Sequence, residues 1–161
     1  MTTIETDNHS SVADGAPGID NAIAWYQSIQ DMTSRLREVE DAEDYDTSEN
    51  IRTEIMDSAL SVQVRADWYT PGLHGVDHPP VEYSILLTTG GPALRLIGTL
   101  TEYGEPETAR LEAQDWGTSW ADVSRNQIFN NKCISVREAG KAWEDYDNTL
   151  LAFARCFYFA D

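Results

Sequence analysis

Val81-Glu82-Tyr83-Ser84-Ile85-Leu86-Leu87-Thr88-Thr89 and Ala93-Leu94-Arg95-Leu96-Ile97-Gly98-Thr99-Leu100 are two β-rich runs joined by Gly90-Gly91-Pro92. Glycine supplies positive φ and proline interrupts a hydrogen-bonded ladder, so the joint reads as the turn of an antiparallel hairpin. Upstream, Val62, Val64, Ala66 and Trp68 alternate with Gln63, Arg65 and Asp67, the period of a half-buried strand, which Pro71-Gly72 ends. Residues 72–80 are expected to form a loop. Downstream, Gly104 and Pro106 mark a turn within 101–107, and Ala109, Leu111 and Ala113 alternate with Arg110, Glu112 and Gln114. Four runs in succession with short joints predict a four-stranded antiparallel meander over residues 60–116.

On the N-terminal side the period changes to that of a helix. Ile23, Trp25, Tyr26, Ile29, Met32, Leu36 and Val39 recur mostly at intervals of three and four, one stripe of a helix from Asp20 to about residue 42, with Asp20 or Asn21 as its cap. A second helix is expected from Thr47 or Ser48, with Ile51, Ile55 and Leu60 on its apolar side. At the other end Leu150, Leu151, Phe153, Ala154, Phe157 and Tyr158 predict a closing helix capped by Asp147 or Asn148. The fold class is therefore α+β, the meander packed against N-terminal helices and a C-terminal helix. Residues 1–18, rich in Ser, Thr, Asp and Gly, are expected to be a loose arm, and 19–161 a single domain with an acidic helical part (19–58), the sheet (60–116) and a helical closing part (120–161).

The chain has 161 residues, 28 Asp plus Glu against 11 Lys plus Arg, and a formal charge of −17. Direct contact with nucleic acid or an anionic membrane is repulsive at that charge. No apolar run approaches the roughly 20 residues of a spanning helix, and Met1-Thr2-Thr3-Ile4-Glu5 has neither the basic start nor the apolar stretch of a signal peptide, so a cytoplasmic location is expected. Half of the acids, 14, fall in residues 1–58 against three bases. Glu38, Glu40, Asp41, Glu43, Asp44, Asp46 and Glu49 follow one another with no Lys or Arg between Glu38 and Asn50. A charge run is usually a solvated helix face. Here, however, Glu40 with Glu43 and Glu40 with Asp44 are spaced to repel on a helix, which costs stability and suggests a basic partner. Carboxylates so spaced approximate the separation of phosphates along a strand, and could occupy a groove built for nucleic acid.

Catalytic patterns are weak. His74 and His78, with Asp77 and Glu82 nearby, are ligand types for a divalent metal, but a Gly- and Pro-rich loop does not fix their geometry, and His9 lies in the arm. No metal or other cofactor is expected. Cys156 sits in an apolar stretch and reads as a core residue, Cys133 has no diagnostic neighbour, and the two lack zinc or CxxC spacing. There is no Gly-x-Ser-x-Gly elbow, and Gly90-Gly91 joins strand to strand with no helix N-terminus or lysine following, unlike a phosphate-binding loop. The echo Ala66-Asp67-Trp68-Tyr69-Thr70 and Gln114-Asp115-Trp116-Gly117-Thr118 places Asp-Trp twice at a strand end. Each tryptophan is expected to plug the edge of the core. The alternative is that Trp68 and Trp116 share one rim, with Trp120 near, as anchors for a partner.

Four blocks in order, Arg65-Ala66-Asp67-Trp68-Tyr69-Thr70-Pro71-Gly72, Tyr83 to Arg95, Glu105-Pro106-Glu107-Thr108-Ala109-Arg110-Leu111-Glu112 with Gln114-Asp115-Trp116, and Leu150-Leu151-Ala152-Phe153-Ala154-Arg155 with Phe157-Tyr158-Phe159, resemble a family of small acidic proteins carried by phages and other mobile elements. That family has no assigned chemistry. Where its members tend to follow Asp-Trp with an aromatic and Thr-Pro-Trp, this chain has Gly117-Thr118-Ser119-Trp120. The resemblance implies a mobile-element context, in which small acidic proteins act against host defence, anti-CRISPR and antirestriction proteins among them. Together with the charge it leads to an expected non-enzymatic inhibitor in the host cytoplasm, bound to the basic nucleic-acid-binding surface of a CRISPR complex through Glu38, Glu40, Asp41, Glu43, Asp44, Asp46 and Glu49, with Trp68, Trp116 and Trp120 adding contact. A restriction system is the second target. The alternatives are a phage binding or assembly module, acidic only for solubility, and a metal-dependent enzyme using His74, His78 and Asp77; apolar helix stripes serve a core and a homodimer equally well.

Overall fold

A computed structural model describes residues 17–72, 78–123, 128 and 136–159. Among these residues three helices, α1 (Pro17–Asp41), α2 (Tyr45–Ser58) and α3 (Val136–Ala154), accompany five strands, β1 (Ser61–Ala66), β2 (Pro80–Thr88), β3 (Ala93–Thr99), β4 (Arg110–Gln114) and β5 (Ala121–Asp122). The strands form one antiparallel sheet in the order β1-β2-β3-β4-β5. This is the α+β class and the meander expected, with the two-residue β5 added beyond Trp120. The expected loose arm lies outside the described residues except Pro17 and Gly18, which belong to the first turn of α1.

Strand period and helix stripe meet in one core. Tyr83, Ile85, Leu87, Leu94, Leu96, Leu111 and Ala113 are buried, and cross-strand partners such as Ile85 with Leu96 and Leu96 with Leu111 share the face that they line. From α1, Tyr26, Ile29, Met32 and Leu36 are buried, with Ile23, Trp25 and Val39 packed at the margin. The helix lies across β3 and β4, with α2 and α3 packed against it. Leu150, Phe153 and Ala154 of α3 complete the core, and Phe159 returns to place its ring 4.7 Å from that of Tyr83.

Two glycines are dictated by close approach. A Cβ on Gly98 would lie 1.9 Å from the Thr108 carbonyl oxygen, to which the Tyr83 hydroxyl donates at 2.6 Å. Gly91, at φ 93°, lets the Trp116 indole rest on the β2–β3 turn, where a Cβ would lie 2.0 Å from its Nε1.

Several local expectations are corrected. Asn21 is inside α1 and caps nothing; its amide donates to Thr88 Oγ1 at 3.2 Å and to the Pro92 carbonyl at 3.3 Å, tying the helix to the hairpin. The second helix starts earlier than Thr47, because Asp44 accepts the Thr47 amide at 3.1 Å and is the cap. Leu60 lies past the end of α2 and is exposed. Asp147 and Asn148 lie within α3, which begins eleven residues before Asp147, so neither caps it. The strand carrying Val62 and Val64 is not half-buried: both residues share a face with Ile85 and Tyr83, their cross-strand partners, yet stand exposed. The reason is lateral position, since β1 is the edge strand and α1 lies across β3 and β4.

Candidate functional site

The acidic run folds into the corner between α1 and α2, and Glu38, Glu40, Asp41, Glu43, Asp44, Asp46 and Glu49 are all exposed there. The turn is made by backbone bonds from the Glu43 amide to the Glu40 carbonyl (3.0 Å) and from the Asp44 amide to the Val39 carbonyl (2.9 Å), with Glu43 in the left-handed region at φ 56°. This is a Schellman closure, whose left-handed position ordinarily holds glycine or asparagine. A glutamate there costs about 1–2 kcal/mol through the approach of its Cβ to the backbone.

The electrostatics of the corner are asymmetric. Asp44 and Asp46 begin α2, where the partial positive charge of a helix N-terminus favours carboxylates. The Asp44 carboxyl is held below its ordinary range by the hydrogen bonds it accepts from Thr47. Glu38, Glu40 and Asp41 end α1, whose last turn has no base, so they face the negative pole of the helix. The absence of bases along the run is relieved at one place that sequence spacing does not reveal: Arg52 of α2 pairs with Glu40 across the helical hairpin. One helical step away, Arg35 binds Glu54 at 2.8 Å and Asp31 at 3.0 Å. Among the described residues no ion pair reaches Glu38, Asp41, Glu43, Asp46 or Glu49. Five of the seven expected contact acids are thus exposed and unneutralised, Asp44 is a cap, and Glu40 is half of an ion pair.

The tryptophans behave differently from either expectation. Trp68 is 100% exposed and Trp116 80%, so neither plugs the core. Nor do they share a rim: Trp68 follows the end of β1 near Pro80, and Trp116 follows the end of β4 near Ala93, which is the opposite end of the sheet. The echoed dipeptide does make the same local structure twice, Asp67 Oδ1 accepting the Trp68 amide at 2.7 Å and Asp115 Oδ1 the Trp116 amide at 2.8 Å. Trp68 and Tyr69 flank a cavity of about 800 Å³ with Arg65, Pro71, Val81 and Thr99, beside the open edge of β1.

Trp120 is tied to a network that spacing alone does not single out. Its ring lies 4.3 Å from the Arg95 guanidinium, and Arg95 binds Glu112 at 2.7 Å. Glu112 also meets Arg110 at 3.2 Å, and Arg110 meets Asp122 at 3.0 Å. Cross-strand partners Arg95 and Glu112 stand on the sheet face away from the helices, and the buried Glu112 carboxylate is compensated from both sides. The signal was the alternation of charged and apolar residues in β3 and β4, which marks the outer face without saying which charges meet.

The catalytic alternatives gain no geometry. His74 and Asp77 lie outside the described residues, whereas His78 stacks on Tyr69 with ring centroids 3.7 Å apart. Among the described residues no group of three His, Cys, Asp or Glu side chains is placed to hold a metal. Cys133 also lies outside them. Cys156 is buried, its thiol donates to the Ala152 carbonyl at 3.4 Å, and burial pushes its pKa up, away from a reactive thiolate. No described helix is long and apolar enough to cross a membrane. Comparison with protein-family models, characterised proteins and solved structures returned no match to this chain.

Proposed function

We propose that the protein is a non-enzymatic acidic inhibitor of a mobile element that occupies the basic nucleic-acid-binding surface of a host defence complex, a CRISPR complex first and a restriction system second. One observation carries the reading: exposed carboxylates are kept at the α1–α2 corner where local physics disfavours them. Glu43 takes a backbone conformation suited to glycine, and Glu38 and Asp41 sit unneutralised at a helix C-terminus. Acids kept only for solubility would be as effective on any exposed face without these costs. A basic groove that binds a phosphate backbone would recover them on contact.

The test changes Glu38, Asp41, Glu43, Asp46 and Glu49 together to Gln or Asn, leaving Asp44 as cap and Glu40 with Arg52. The tagged parent protein, incubated with lysate of a defence-competent host, should recover a basic complex whose nucleic acid competes with it. The substituted protein should associate more slowly and with a shallower dependence on salt. Equal inhibition by the substituted protein, or an affinity indifferent to salt, would end this reading.

A second reading, a phage binding or assembly module, is favoured by a different feature. The fully exposed Trp68, the neighbouring cavity and the open β1 edge offer an aromatic and backbone surface independent of charge. Under it Trp68→Ala, and not the acidic substitutions, abolishes partner recovery.

A further inference from the structure

Arginines in a chain this acidic find carboxylates easily, and the exceptions are informative. Among the described side chains Arg35, Arg52, Arg65, Arg95 and Arg110 are each ion-paired. Arg37 and Arg155 meet no carboxylate of the described residues in any ion pair, and both line one cavity of about 550 Å³ between α1 and α3. That volume is within the range of roughly 300–1,000 Å³ typical of small-molecule sites. The wall is a pair of helix stripes: Gln30, Ser34 and Arg37 recur at four and three residues on α1, and Asp145 and Asn148 on α3 lead towards Arg155 just past its end. These stripes border the α1–α3 contact on its exposed side, while the buried part of the contact is apolar.

The cavity has two unlike ends. Arg52 reaches in from α2 beside Cys156, the neighbour of Arg155, and its link to Glu40 still leaves guanidinium N–H donors free. Asp145 lies towards Tyr26, whose ring is 5.0 Å from Tyr146. The other end carries Arg37 from α1, Arg52 from α2 paired with Glu40, and Arg155 just past α3, an excess of positive charge in a molecule with formal charge −17.

We infer that this cavity binds a small phosphorylated molecule through its phosphate, with Arg37 and Arg155 as the principal phosphate ligands. A phosphate group carries about −1.5 to −2 at neutral pH, which matches two unneutralised guanidinium groups, whereas one carboxylate would satisfy only half of that charge. Planar N–H forks suit phosphate oxygens, and Ser34 and Asn148 add neutral donors along the same walls. Of the corner acids Glu40 lines this site, and it stays paired with Arg52 in the five-acid variant, so the fate of the site is independent of the inhibitor reading.

Calorimetric titration and thermal melting of the full chain with inorganic phosphate and with glycerol 2-phosphate, at ionic strength balanced by chloride and beside an acetate series, test the inference. Both phosphates should bind saturably and raise the melting temperature, more at pH 8 than at pH 5.5, where the dianion is protonated. Arg37→Gln and Arg155→Gln should each weaken binding about tenfold or more, the scale of one charge-assisted contact. Both side chains are exposed, so unliganded melting should stay near that of the parent, and Arg35→Gln, on the same helix but paired elsewhere, should leave phosphate binding unchanged. No saturable phosphate binding by the parent chain, an equal response to acetate, or binding indifferent to both arginine substitutions would overturn it.

Discussion

At Glu43 a left-handed backbone, a carboxylate and the end of a helix coincide, and no other non-glycine residue among those described has positive φ. Glu43→Gly removes the Cβ that opposes this conformation and also one of the repelling charges. The variant should be more stable by about 1–2 kcal/mol in denaturant unfolding, partly offset by the greater freedom of glycine in the unfolded chain. It should inhibit less well. Gain of stability with unchanged inhibition would show that the charge at this position is idle. Asp44 is the converse case, an acid that belongs where it stands. Because its folded carboxyl is held below the ordinary range by Thr47, its cap contributes fully above the unfolded carboxylate range and is lost as pH falls through the lowered folded value. Asp44→Ala should therefore lower the melting temperature at pH 7, with the difference from the parent shrinking towards pH 2, whereas Asp44→Asn keeps an acceptor for the Thr47 amide and should lose less.

On the scale of elements, α1 and α2 form a helical hairpin tied near its corner by Arg52–Glu40 and farther from it by Arg35–Glu54. Apart from the cap Asp44, the corner acids outside those pairs make no ion pair among the described residues. Neutralising Glu38, Asp41, Glu43, Asp46 and Glu49 in one variant should leave the helical circular dichroism unchanged and the melting temperature equal or higher, as repulsion at i, i+3 and at the end of α1 is removed. A large loss of stability would mean that these acids support the fold. The sheet supplies the second element-scale result. Trp68 and Trp116 end strands separated by three antiparallel steps, and an odd number of reversals sends their ends to opposite sides. That parity was already contained in the expected four-strand meander, so the separation of the tryptophans was legible in the sequence.

Over the whole molecule the formal charge of −17 works against compaction. Screening extends over about 8–10 Å near physiological ionic strength. Raising sodium chloride from low to physiological concentration should therefore raise the melting temperature of the parent chain, and raise that of the five-acid variant less. A melting temperature that falls with added chloride would mean that attractive ion pairs outweigh self-repulsion. The order of the strands, the apolar stripe of α1 and the buried face of β2 and β3 were set by the sequence alone, because alternation, glycine-proline turns and three- and four-residue spacing act between near neighbours. What lay beyond those spacings came from tertiary structure. Only packing set α1 across β3 and β4, leaving Val62 and Val64 uncovered on the edge strand, and only packing brought Arg52 to Glu40, twelve residues away in the chain. That Arg37 and Arg155, far apart in the chain, line one cavity is of the same kind: tertiary packing places them there, and linear spacing records only the pairs that share an element.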